Sequence, residues 1–296
     1  MANDFRIVNL GDSVPWGQGL LESEKYDVIV KTTLAATHPV VTLERFAHSG
    51  AVIGAGTVVG NTAPGEVPES RPTIIEQCDN FANSPDSVDL VLVNGGINDV
   101  GVATILNPLA LVPSLHSKIV AACHTGMLAL LNRVKVKFTK PSCKILVTGY
   151  YFILSDQSDP LQIPRMLSMH GIAPPPFIKP AAWFDPIFDR CEQFFSESTQ
   201  QLQSAIQDAG DARIKFVASG FTEANAVFVP NTSLLWGLDD QLKPLDPMAA
   251  QRHNQCDAAF PQPIEILHRE QCYRASAGHP NIAGAKQYSQ QILAAL

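Results

Sequence analysis

Along the chain, short runs of apolar residues alternate with longer stretches in which apolar positions recur every three or four residues. The first run, Phe5 to Leu10, stops abruptly at Gly11-Asp12-Ser13 and reads as a fully buried strand. Val40 to Phe46, Val88 to Val93, Lys144 to Thr148 and Ile214 to Ala218 read as four more. Helices are expected between them, over Glu22 to Ala36, over Pro72 to Ala82, and from near Pro113, where Ile119, Cys123, Met127, Leu130, Leu131 and Val134 share one side. Asp185-Pro186, a cap residue followed by proline at the first helical position, opens a long amphipathic helix that ends at Gly210. Pro280 to Leu296 closes the chain as a helix carrying Ile282, Tyr288, Ile292 and Leu293.

Repeated βα units with short apolar strands predict an α/β fold, a parallel sheet covered by helices on both faces. At 296 residues the chain is long for one ordinary domain and short for two, so a single domain over 1–296 with insertions is expected. Two stretches break the alternation. Asp156 to Pro180 reads as a surface excursion in which Pro174 to Pro176 forbid a helix, and Ser219 to Gly278 shows no sustained period and is punctuated by five prolines. Both follow strands, so both should emerge at the strand carboxyl ends and form ordered walls around whatever binds there.

Hydrophobic residues at 46% against 17% charged exclude a disordered chain. A net charge of −7 argues against nucleic acid as a partner, and the basic cluster Arg133, Lys135, Lys137 and Lys140 closes a helix, where cations offset exposed carbonyls. No secretory signal precedes the first strand, which makes a cytoplasmic location the starting expectation. The longest uncharged stretch, Phe46 to Gly65, holds five glycines, a proline, His48 and Asn61, and no transmembrane segment is expected there or elsewhere. Cys78, Cys123, Cys143 and Cys191 fall on apolar faces and read as core residues. His253-x2-Cys256 and His268-x3-Cys272 have zinc-like spacing, but a Cys256–Cys272 disulfide or two free thiols is favoured over a metal. Gly54 to Gly60 looks like a dinucleotide loop with one residue too many before its third glycine and no acidic residue closing a following strand, so no cofactor is expected.

In a parallel sheet, chemistry belongs at the strand carboxyl ends. Ser13 follows the first strand, Ser49-Gly50 the second and Asn98-Asp99 the third, while His279 stands just before the last helix. A serine becomes nucleophilic when a base takes its proton, and histidine suits that role near neutrality. Acyl transfer also needs donors for a developing oxyanion, which a glycine N–H and an asparagine amide can supply. A plain turn or a helix cap would account for Gly-Asp-Ser taken alone.

Taken in order, Gly11-Asp12-Ser13, Gly50 within His48-Ser49-Gly50, Gly96-Ile97-Asn98-Asp99 and His279-Pro280-Asn281 resemble the motifs of the SGNH (GDSL) hydrolases across the whole chain. The resemblance implies a three-layer α/β/α sandwich on five parallel strands, and serine esterase or lipase activity on a small-molecule, carbohydrate or lipid ester. It makes Ser13 the nucleophile, Gly50, Asn98 and the Ser13 N–H the oxyanion hole, and His279 the base. Trp16, Trp183 and Trp236 are candidates to line an acyl or sugar pocket. One departure stands out: where the family usually has an aspartate three residues before the histidine, this chain has Ser276. Two sources of help for the imidazole remain, a backbone carbonyl near Ser276 or a carboxylate from the long insertion, among Asp239, Asp240, Asp246 and Asp257. The same residues leave acyl transfer to an alcohol, or a non-catalytic carbohydrate- or protein-binding module, as alternatives.

Overall fold

The computed structural model describes residues 4–54, 64–109, 111–173 and 180–296. Most of the Gly54 to Gly60 loop and the prolines Pro174 to Pro176 lie outside these residues. Five strands, β1 (Phe5–Leu10), β2 (Val41–Arg45), β3 (Leu90–Val93), β4 (Lys144–Thr148) and β5 (Ile214–Val217), form one all-parallel sheet in the order β2-β1-β3-β4-β5. Ile7 pairs with Leu43 on one side and Leu90 on the other, and Val91 continues the register to Ile145 and Ile214. All four residues of β3 are buried, which is why that strand reads as an unbroken apolar run.

The helices divide into two layers. On one face α1 (Tyr26–Leu34) packs against the C-terminal α8 (Ile282–Ala295); on the other, α2 (Ile74–Asn80), α3 (residues 112–137) and α5 (Pro180–Ala209) pack side by side. The α3 helix runs Val112–Ile119, passes through a π-helical Val120–Gly126 and continues as Met127–Lys137. This is the three-layer sandwich that the sequence predicts. By length and apolar composition Pro113–Lys137 could cross a membrane, contrary to the expectation of no such stretch. Its apolar stripe, from Leu115 and Ile119 to Leu131 and Val134, is fully buried beneath the neighbouring helices, as in a core helix. The basic cluster is structural here: Arg133 pairs with Asp79 at 2.8 Å, Lys137 reaches the Asp79 carbonyl and Lys135 that of Ala209.

Three expectations are corrected. The long helix begins at Pro180, before the Asp185-Pro186 cap, because Trp183, Phe184 and Ile187 are buried beneath its first turns, and that packing outweighs the hydrogen bond that Pro186 cannot make. Asp156 to Pro180 is more than a surface excursion: it holds α4 (Ile163–Met169), whose Ile163, Met166 and Leu167 are buried. Ser219 to Gly278 contains α6 (Ala249–Ala259) and α7 (Ile266–Tyr273). These two helices lack an apolar stripe, and their buried residues are instead Arg252, Cys256 and Cys272.

Cys256 and Cys272 are joined, with a Cα–Cα distance of 5.9 Å, and the bond ties α6 to α7. Both cysteines are thereby unavailable as zinc thiolates. The other four cysteines are free and buried, as expected of core residues. Closing a loop with a separation of 16 residues is worth about 3 kcal/mol in the chain-entropy account. The Cys256→Ala/Cys272→Ala double variant is therefore expected to unfold at lower urea concentration by that free energy; an unchanged midpoint would show that the disulfide does not constrain the unfolded chain.

Candidate active site

Strand order fixes where a site can form. From β1 the chain crosses to β2 on one side and later to β3 on the other, so the loops leaving β1 and β3 diverge and open a crevice at their carboxyl ends. Ser13 follows β1 and Asn98 follows β3, on either side of that crevice.

The turn after β1 requires glycine. Gly11 has φ +151°, and a Cβ there would lie 2.4 Å from Pro15 Cγ and 2.5 Å from the Asn94 carbonyl oxygen. Gln77 of α2 grips this turn, accepting from Gly11 N at 2.8 Å and donating to Gly11 O at 2.9 Å. Asp12 then caps the single helical turn Ser13–Trp16, accepting from Val14 N at 2.9 Å. Its other carboxylate oxygen accepts from the Tyr150 hydroxyl at 2.9 Å, and that hydroxyl accepts from Ile97 N at 3.0 Å. Tyr150, just beyond β4, thus ties the Ser13 turn to the Asn98 turn.

Gly50 has φ +79°, and a Cβ on it would come within 2.6 Å of Glu69 N. The Asn98 amide donates one hydrogen to Ala51 O at 3.0 Å, which orients the group and leaves its second hydrogen for a ligand. His279 Nε2 lies 2.7 Å from Ser13 Oγ. Its loop is held by main-chain pairing, with Gly278 N donating to Trp236 O and Trp236 N to His279 O, each at 2.8 Å, and by Asn281, which caps α8. Ser13, Gly50, Asn98 and His279 all line one cavity of about 200 Å³.

Burial shifts the ionisable groups around this cavity. Burial pushes the His279 imidazole down to about 4, against the smaller opposing pull of the Ser276 and Ala277 carbonyls. The ring is therefore neutral at pH 7, and with Nε2 accepting from Ser13 its proton resides on Nδ1. Nδ1 is buried and makes no hydrogen bond among the described residues. Burial likewise raises Asp12 and Asp99 to about 6, and Tyr150 well above its usual value of 10.

Of the candidate acids, Asp239 closes its own turn, accepting from Gln241 N and Lys243 N, and Asp240 pairs with Arg165 in the open. Asp257 accepts from the Tyr273 hydroxyl near the surface. Asp246 alone is brought to the histidine loop: its Oδ2 accepts from the Ser276 hydroxyl at 2.5 Å, and Arg252 holds its carboxylate at 2.6 and 3.1 Å. The tryptophans are corrected as pocket residues. Trp16 donates to Glu66 at 2.9 Å beneath Lys25, in a separate hollow; Trp183, on the first turn of α5, is buried in the core; Trp236 acts through its main chain. In their place Tyr151, Ile153, Met166 and Met169 form the cavity wall. Sequence reasoning also missed Gln77, Tyr150, Glu66 and Arg252. Only Tyr150, directly after a predicted strand, carried a positional signal.

No protein-family model matches this chain, and no curated protein matches it in sequence. Solved structures do. An extracellular lipase from Streptomyces rimosus superposes with a TM-score of 0.56 at 15% identity, over 99% of this chain and 100% of that one. The fold is shared with that lipase. A phospholipase A1 from Streptomyces albidoflavus NA297 gives 0.53 at 14%, over 98% of each chain, and a lipase from a goat rumen metagenome 0.52 at 14%, over 98% and 97%.

Replacing Tyr150 with phenylalanine strips a buried donor from Asp12 and an acceptor from Ile97 N at once. Tyr150→Phe should lose about 1–3 kcal/mol of stability in chemical denaturation. A loss below a few tenths would show that this link does not hold the two turns together.

Proposed function

We propose that the protein is a serine esterase. The observation that carries this reading is the 2.7 Å contact between Ser13 Oγ and a neutral, partly buried His279, in one cavity with Gly50 and Asn98. His279 Nε2 takes the Ser13 proton as Oγ attacks the ester carbonyl. The Gly50 N–H, the free Asn98 amide hydrogen and the Ser13 N–H stabilise the tetrahedral oxyanion. His279 returns the proton to the leaving alcohol, and water then releases the acyl group from Ser13 by the same steps in reverse roles.

The cavity wall points to an ester with a hydrocarbon chain. Val14, Ile97, Ile153, Met166 and Met169 present apolar surface, and such walls gain by covering methylenes, about 0.8 kcal/mol for each one buried. Both insertions contribute, the first through Met166 and Met169 and the second through Ala275 and Ala277. The three similar structures are two lipases and a phospholipase A1, which supports the same substrate class.

A p-nitrophenyl ester series of increasing acyl length tests both statements. Activity should climb from acetate to a medium chain, and Ser13→Ala should lower kcat by at least about 10³-fold, with a fluorophosphonate labelling Ser13 in the wild type only. Equal, slow hydrolysis by wild type and Ser13→Ala, with no labelling, would leave the non-catalytic binding module in its place. Adding an alcohol acceptor and looking for a new ester separates transfer from hydrolysis.

The base works only when unprotonated, so kcat/KM should fall as pH drops through the His279 value of about 4. An acid limb centred at 6.5 or above would mean that the imidazolium is stabilised far more than this environment allows.

A further inference from the structure

The base of the proposed esterase has an orphaned nitrogen, and the nearest carboxylate stops one residue short of it. Ser276 is fully buried, and its main-chain oxygen accepts from His279 N at 2.9 Å. Its hydroxyl donates to Asp246 at 2.5 Å. Gly19, at φ +80°, packs directly onto this pair: a Cβ there would lie 2.8 Å from Ser276 Cβ and 3.0 Å from Asp246 Cγ. Behind the carboxylate stands Arg252, fully buried, which also donates to Ser276 Oγ at 3.1 Å and to Glu66 at 3.0 Å.

We propose that Asp246 is the acid of this site, placed one step behind its expected position: a positioning residue that acts on His279 through Ser276. This rests on the esterase reading above. By fixing the Ser276 hydroxyl, Asp246 fixes the peptide whose carbonyl lies beside the imidazole, and so the ring's orientation towards Ser13. Its charge has a second effect. When His279 takes the Ser13 proton, the imidazolium faces Arg252 from α6, whose positive charge opposes it; Asp246, from the loop before α6, offsets that repulsion, while Glu66 also pairs with the guanidinium and is itself acted on by Lys25. Neutralising Asp246 leaves Arg252 unopposed on the histidine side, which destabilises the imidazolium in the transition state as well as in the resting enzyme.

The test compares the wild type, Asp246→Asn, Ser276→Ala and the double variant Asp246→Asn/Ser276→Asp on one ester, with fluorophosphonate titration to count competent sites. Asp246→Asn should lower kcat at least about tenfold with KM within about twofold, and move the acid limb to lower pH. Ser276→Ala, which keeps the Asp246–Arg252 ion pair, should lower kcat in the same sense by a smaller factor. The double variant returns a carboxylate to the third position before His279 and should recover most of the lost kcat and raise the acid limb again. The proposal is overturned if fully titrating Asp246→Asn keeps kcat within about twofold, or if its kcat falls with the limb unmoved and the double variant restores nothing. Should Asp246→Asn fail to fold, Ser276→Ala decides, and an unchanged kcat overturns the proposal. A wild type that neither turns over nor titrates would instead remove the esterase reading, and this one with it.

Discussion

Arg252 is fully enclosed, and a guanidinium cannot remain inside a protein without acceptors for its hydrogens. It finds four acceptors on three segments: Glu66, Asp246, and the Tyr273 carbonyl and Ser276 hydroxyl of one stretch. Glu66 in turn accepts from Trp16 and Gln18, in the stretch that follows the nucleophile turn. One buried cation thus draws together the loop after β2, the long insertion, the histidine loop and the segment after Ser13. These are the parts of the chain that no strand or apolar helix stripe holds. Truncating a partner in such a cluster leaves an uncompensated buried charge, typically a loss of about 3–5 kcal/mol, far more than an exposed pair is worth.

The sheet does the remaining positioning. Diverging crossovers around β1 bring Ser13 and Asn98 to one crevice, and the Asp12–Tyr150–Ile97 bridge sets their spacing. The same enclosure that strengthens these hydrogen bonds shifts the acids and the base in opposite directions. Asp12 and Asp99 rise towards 6 while His279 falls to about 4, because a dry interior disfavours charge of either sign. The result is an imidazole that is neutral at pH 7 and, in the proposed esterase, an imidazolium that needs help once formed.

Elements with strong periodicity were legible in the sequence. The five strands, the core helix α3 and the closing helix follow from apolar runs and end signals, and the order of Ser13, Gly50, Asn98 and His279 at strand ends and before α8 placed them in one cavity. What escaped was non-periodic. The α6 and α7 helices are organised by a disulfide and a buried arginine, so no hydrophobic pattern announces them. The start of α5 ran ahead of its apparent cap because buried Trp183 and Phe184 override local propensity. The tryptophans misled for a related reason: large aromatic rings serve packing and main-chain scaffolds as readily as pockets, and here Met166 and Met169 line the cavity instead.

The serine at position 276 makes physical sense within the ion cluster. Glu66 and Asp246 already share the one guanidinium of Arg252, with separations of 3.0 and 2.6 Å. An aspartate at 276 would add a third buried carboxylate within reach of the same cation, and like charges so close force one of them to take up a proton. A protonated acid there could not favour the imidazolium electrostatically. A hydroxyl avoids the conflict: it donates to Asp246 and accepts from Arg252, filling both roles without a charge of its own. The serine at 276, where the SGNH hydrolases that the sequence resembles usually have an aspartate, and the arginine at 252 are therefore one arrangement, in which the proposed acid, Asp246, comes from beside the arginine that the cluster anchors.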